Sequence, residues 1–204
     1  MDVDTSSGVA RIELDGDAAA ARFLFVLTHG AGGGVASPDL LAARDAALRS
    51  GALVARALQP YRVRGARAPG SVDKQDAAWA ELVAALRERA PGLPLVQGGR
   101  SNGARVACRT AGAVGASGIV ALAFPLHPPG KPEHSRIGEL RDRGVPALVI
   151  SGARDPFGVP DAGDADEVVV IPGETHALKG HTGLIMAAIE RWLPTVLADL
   201  PGKG

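Results

Sequence analysis

Residues 99–103 read Gly-Arg-Ser-Asn-Gly, the G-x-S-x-G spacing that can present a serine hydroxyl as a nucleophile. A hydroxyl attacks an acyl carbon only when a base takes its proton, so the pattern asks for a histidine elsewhere. Taken alone, the pentapeptide is weak in a chain with 27 glycines, where a glycine-rich turn with a capping serine is the plainer reading. Its setting carries the weight. The apolar run Leu93 to Gln97 precedes it as a strand, and a small-residue helix, Asn102 to Ala113, follows. Ser101 then stands at the tip of a sharp turn, where bulky side chains at positions 99 and 103 would collide with strand and helix. The helix N-terminus beside it favours developing negative charge.

A second glycine-rich segment, His29-Gly30-Ala31-Gly32-Gly33-Gly34, follows the apolar run Phe23 to Thr28. Such a loop lets backbone N–H groups approach a substrate oxygen. The N–H of Ala31, with that of Asn102, is the expected oxyanion hole, each donor contributing roughly 3 kcal/mol in the transition state. A dinucleotide loop is excluded by spacing: after Gly30 and Gly32 the third glycine should fall at 35, which is Val35. No Gly-Lys-Ser/Thr follows, so a P-loop is excluded too. His29 is expected to shape the loop through hydrogen bonds and, with Gly32, to border the substrate.

Five histidines compete as base: His29, His127, His134, His176 and His181. His176 lies just past the strand Glu167 to Ile171 and before the last helix, at a strand's carboxyl end like Ser101. His181, at the start of that helix, is the alternative. Asp155, just beyond the strand Ala147 to Ser151, can hold an imidazole in the right tautomer and stabilise its cation. Asp161, Asp164 and Asp166 are alternatives in a Gly/Asp/Pro-rich stretch that reads as solvated turns. The segment Pro125 to Pro132 is expected to wall the site, with Pro125 and His127 lining it.

The elements that must position these groups alternate along the chain. Strands are expected at Phe23–Thr28, Ala52–Leu58, Leu93–Gln97, Ile119–Phe124, Ala147–Ser151 and Glu167–Ile171. Helices are expected at Pro38–Arg49, Gln75–Arg89, Asn102–Ala113, Glu133–Arg143 and Thr182–Asp199, with Pro194 kinking or splitting the last. Alternation of this kind implies a mainly parallel sheet with helices on both faces, its reactive groups gathered beyond the carboxyl ends of the strands. The 204 residues suit a single α/β domain, with no insertion long enough for a cap.

Together these segments resemble the α/β-hydrolase superfamily, in particular its small lidless group related to dienelactone hydrolases (testis-expressed protein 30-like). The residues that carry the resemblance are His29-Gly30-Ala31-Gly32, Gly98 to Gly103, Phe124 to Pro132, Gly152 to Gly158 and His176-Ala177-Leu178-Lys179. It implies an α/β-hydrolase fold and a catalytic serine, aspartate and histidine at Ser101, Asp155 and His176. The superfamily's order, serine then acid then histidine, removes His29 as base. Asn102 stands where the group often has methionine, a departure that leaves the backbone N–H intact.

The remaining composition narrows the function. Lys+Arg and Asp+Glu both number 22, so the formal charge is zero and the basic excess of a nucleic-acid binder is missing. Arg62, Arg64 and Arg67 read as solvated loop charge. The lone Cys108 excludes an internal disulfide and fits a cytoplasmic protein. Residues 1–17 lack the pattern of a secretory signal, and no apolar run is long enough for a membrane span. The expectation is a cytoplasmic serine hydrolase acting on a small ester or thioester through an acyl-enzyme, without cofactor or metal. The alternatives are an acyltransferase using the same residues and a non-catalytic binding or scaffold protein on this fold.

Overall fold

The computed structural model describes residues 1–198. Eight strands form one sheet in the order β1-β2-β4-β3-β5-β6-β7-β8. They are β1 (Asp2–Thr5), β2 (Gly8–Asp15), β3 (Phe23–Thr28), β4 (Ala52–Leu58), β5 (Leu95–Arg100), β6 (Gly118–Leu122), β7 (Ala147–Gly152) and β8 (Glu167–Ile171). The strands from β4 across to β8 are parallel, and β1 and β2 add an antiparallel hairpin on the β4 edge.

Helices α1 (Pro38–Arg49) and α6 (Thr182–Leu197) cover one face of the sheet; α3 (Val72–Arg89), α4 (Asn102–Val114) and α5 (Ile137–Arg141) cover the other. A single turn, α2 (Pro60–Val63), follows β4. Strand alternation divides the core. Phe23, Phe25 and Leu27 of β3 pack with Leu40, Ala43 and Ala47 of α1 and Ile185, Ile189 and Trp192 of α6. Leu24 and Val26 point the other way, toward Trp79, Leu82 and Leu86 of α3 and Ala104, Ala107 and Ala111 of α4. Small alanines on α1 and α4 let these helices lie close to the sheet in a chain with only 3% aromatic residues.

Several sequence expectations are corrected. No strand is expected before Phe23, yet β1 and β2 form a hairpin whose Val3, Ala10 and Ile12 alternate into the core. The strand expected at 93–97 begins at Leu95 and runs through both glycines to Arg100, because Gly98 and Gly99 pair with β3 and β6. The strand expected at 119–124 ends at Leu122, where Ala123 turns to φ +47°. The helix expected at 133–143 is confined to Ile137–Arg141, with turns on either side and Gly144 at positive φ closing it. Strand β8 is an edge strand rather than a doubly buried one, with Val170 43% exposed. Pro194 does not split α6, which runs unbroken past it to Leu197; the expected end at Asp199 lies outside the described residues. No cap domain is present among the described residues, where α5 is the only helix between β6 and β7.

Candidate active site

The carboxyl ends of the six parallel strands share one rim, and the chemistry-bearing residues lie on the turns that leave it. Strand β5 ends in Arg100, and Ser101 follows at φ +53°, ψ −113°, a backbone region that a side chain with a Cβ enters only at a cost of order 1–3 kcal/mol. The turn is held: the Ser101 N–H donates to the Leu122 carbonyl at 2.8 Å. Its flanking glycines have no room for a side chain. A Cβ on Gly99 would stand 2.7 Å from the Gly103 and Thr28 backbone, and one on Gly103 would stand 2.7 Å from the Thr28 oxygen. The elbow is therefore pressed against the end of β3, which brings the glycine-rich loop alongside Ser101.

Strand β7 ends in Gly152, and the turn beyond it carries Asp155, whose side chain is wholly buried. Strand β8 ends at Ile171, and the next loop carries His176. The imidazole bridges the other two: Nδ1 lies 2.8 Å from Asp155 Oδ2, and Nε2 lies 2.9 Å from Ser101 Oγ. A carboxylate only accepts, so Nδ1 carries the proton and donates it to Asp155. Nε2 then offers its lone pair to the serine hydroxyl, which donates. The second Asp155 oxygen accepts the Phe157 N–H at 2.8 Å, and the Phe157 ring covers the imidazole face at a centroid distance of 4.1 Å. The ring can neither tip nor exchange tautomers without breaking one of these contacts.

The alternatives for base and acid have other partners. His181 Nδ1 lies 2.8 Å from Glu174 Oε1, on a half-exposed ring. The same carboxylate accepts the N–H groups of Lys179 at 3.2 Å and Gly180 at 2.6 Å, so Glu174 cinches the loop that carries His176. The His181 hydrogen bond, with those two N–H groups, holds the Glu174 carboxyl below the usual range. Asp164 pairs with Arg141, and Asp166 with Arg143. His134 is exposed and faces only Glu133.

His29 corrects an expectation. Its ring is fully buried and both nitrogens are engaged: the Gln59 N–H donates to Nε2 at 3.0 Å, and Nδ1 donates to the Gly30 carbonyl at 2.9 Å. No ring nitrogen is left to touch a substrate, and burial pushes its pKa down to about 4. It shapes the loop from beneath, as does Tyr61, whose hydroxyl donates to the Ala31 carbonyl at 3.0 Å. Gly32 is exposed, with open space where a Cβ would be. The Asn102 N–H opens α4 and has no carbonyl of its own helix to bond. Pro125 is buried; the loop after it runs against the Asp155 turn, where the His127 N–H donates to the Phe157 carbonyl at 3.1 Å. The His127 ring lies over Gly158.

Sequence reasoning missed one residue at the centre of this assembly. Arg100 filled the variable place in the pentapeptide and was given no role. Its Nη2 donates to the His176 carbonyl at 2.8 Å, and its Nε lies 2.9 Å from Asp39 Oδ2, off the line of a good hydrogen bond. Asp39, in the first turn of α1, has no solvent exposure at all. The guanidinium thus ties the histidine loop to the serine turn and is anchored to α1. A buried acid one residue after the helix-starting Pro38 was the available signal, but its partner could not be chosen among 22 basic residues.

Among the described residues, no group of three or more His, Cys, Asp or Glu side chains converges at metal-binding spacing, and no helix is long and apolar enough to cross a membrane.

Comparison with known proteins assigns the lineage. The family described as the alpha/beta hydrolase domain matches residues 21–175. The chain belongs to the alpha/beta hydrolase family. No curated protein matches it. Among solved structures, this alpha/beta hydrolase is similar to a serine hydrolase without lid from Xanthomonas campestris (21% identity, 95% of this chain and 94% of that one, TM-score 0.71). It is similar to Est1E from Butyrivibrio proteoclasticus, solved with ferulic acid bound (17% identity, 98% and 100%, TM-score 0.71). It also resembles a dienelactone hydrolase from Anabaena variabilis (16% identity, 95% and 95%, TM-score 0.71). At these identities the likeness is one of fold, that of the alpha/beta hydrolases.

Proposed function

We propose that this chain is a serine hydrolase that cleaves a small ester or thioester through an acyl-enzyme. The observation that carries the reading is the His176 ring set between Asp155 at 2.8 Å and Ser101 at 2.9 Å, with the serine on a strained turn. Ser101 Oγ attacks the acyl carbon as its proton passes to His176 Nε2. Asp155 stabilises the imidazolium through Nδ1–H. The N–H groups of Ala31 and Asn102 receive the negative oxygen. His176 then gives its proton to the leaving alcohol or thiol. Water, deprotonated by the same nitrogen, releases the acid and restores the serine. The absence of a cap over the described residues supports an open site suited to short or partly exposed acyl groups. The similarity in fold to a dienelactone hydrolase and to Est1E, solved with ferulic acid bound, agrees with a carboxylic ester.

Turnover of p-nitrophenyl acetate tests this. Ser101→Ala and His176→Ala should each lower kcat by about three orders of magnitude or more with the protein still folded. A wild type no faster than Ser101→Ala would leave the chain as a binding protein on a hydrolase fold.

A further inference from the structure

A second hollow opens on this molecule where the β1–β2 turn, α2 and the start of α3 meet. It encloses about 290 Å³, at the low end of the volumes that small-molecule sites occupy. Ala78, Trp79 and Leu82 of α3 line it, all buried, together with Pro60, Tyr61 and Pro69. Ser101, Asp155 and His176 take no part in it.

Two features say what it would hold. The first is charge. Exposed Arg64 and Lys74 stand on its wall and no carboxylate lines it. Arg64 is fixed there by donating to the Ser7 carbonyl. The first turn of α3, capped by Ser71, adds its free N–H groups to the same positive field. Of the nearest acids on α3, Asp76 is paired with Arg109 and Glu81 accepts the Ser6 N–H; Asp73 is exposed. The second is a buried amide. Gln75 lines the hollow at 6% exposure, and Nε2 donates to Gln59 Oε1 at 2.7 Å. Its remaining N–H and its carbonyl oxygen have no protein partner among the described residues, and the oxygen is not sealed from solvent.

We propose that this hollow binds a small apolar monocarboxylate, its body on Trp79, Leu82 and Tyr61 and its carboxylate between Lys74, Arg64 and the free N–H of Gln75. The wall is wired to the oxyanion loop. Gln75 holds Gln59, whose side chain donates to Thr28 Oγ1 at 3.1 Å and whose N–H donates to His29; Tyr61 bonds the Ala31 carbonyl. An occupant therefore touches Tyr61, Gln59 and Gln75, the residues that brace the His29–Ala31 segment.

The test is calorimetric titration of phenylacetate into Ser101→Ala protein, which does not depend on the chain being a working hydrolase. Saturable binding is expected, weakened about tenfold for the neutral analogue phenylacetamide and about tenfold for phenylacetate with Lys74→Glu added, the size expected where a charge is removed from the ligand or reversed on an exposed wall. Ala78→Phe, which fills the floor, should abolish binding. Lys74 is exposed, so its variant should fold even if the Ala78 variant does not. No saturable binding, equal affinity for acid and amide, or full affinity in Lys74→Glu would each overturn the proposal.

Discussion

Arg100 and Asp39 show how a single pair can set a site's geometry without touching a reacting atom. Asp39 is a carboxylate with no solvent contact, and Arg100 is the cation beside it. Removing one partner of a buried pair leaves a bare charge and costs about 3–5 kcal/mol. Arg100→Gln is therefore expected to destabilise the fold by about 3 kcal/mol in urea unfolding. Adding Asp39→Asn to it should restore much of that stability. Turnover should stay low in the double variant, because the bond to the His176 carbonyl is still missing. Recovery of both properties together would show that Arg100 only neutralises Asp39. His29 makes a second prediction at this scale. Its pKa is about 4 when folded against 6.5 ordinarily, so between those values the unfolded chain takes up a proton that the folded chain refuses. The stability this gives is present in full above pH 6.5 and is lost as pH falls toward 4, on the order of 3 kcal/mol in total at about 1.4 kcal/mol per pH unit. His29→Gln should flatten that part of the profile, measured by urea midpoints at several pH values. An unchanged profile would contradict the account of the buried neutral ring.

Strands and loops meet at this site more closely than side chains would allow. A Cβ on Gly152, the last residue of β7, would lie 2.5 Å from the backbone of Glu174 and Thr175, on the loop that carries His176. Backbone cannot step aside as a flexible side chain does. Gly152→Ala is thus expected to push that loop outward and lengthen the His176 to Ser101 contact. Turnover should fall at least about tenfold, since displacements of about 1 Å can cost a hundredfold, while far-ultraviolet circular dichroism stays unchanged. Wild-type turnover in this variant would mean that the loop has slack the packing does not show. Glu174 works on the same loop from its other end, gathering Lys179, Gly180 and His181.

Over the whole molecule, what could be read from sequence follows from which signals are local. The parallel strands show as continuous apolar runs because helices cover both faces, and the serine turn shows because sterics force glycines around it. The β1–β2 hairpin escaped notice because its outer positions are charged and its buried set is small: Val3, Ala10 and Ile12. The loop Pro125 to Pro132 was legible from its prolines, but the helix after it starts four residues later than expected, because Glu133 to Arg136 contain no proline or glycine to mark its true start. The partners of His29, Arg100 and Glu174 depend on which loops the sheet order makes neighbours, and the placement of β3 between β4 and β5 cannot be inferred from spacing. The convergence of residues 101, 155 and 176, separated by 54 and 21 positions in the chain, is the property on which the chemistry rests. Intact-mass spectrometry after exposure to a fluorophosphonate probe measures it most directly. One adduct per chain is expected on the wild type, mapping to Ser101, with none on Ser101→Ala and strongly slowed labelling of His176→Ala. Equal labelling of wild type and Ser101→Ala, or none of either, would contradict the account.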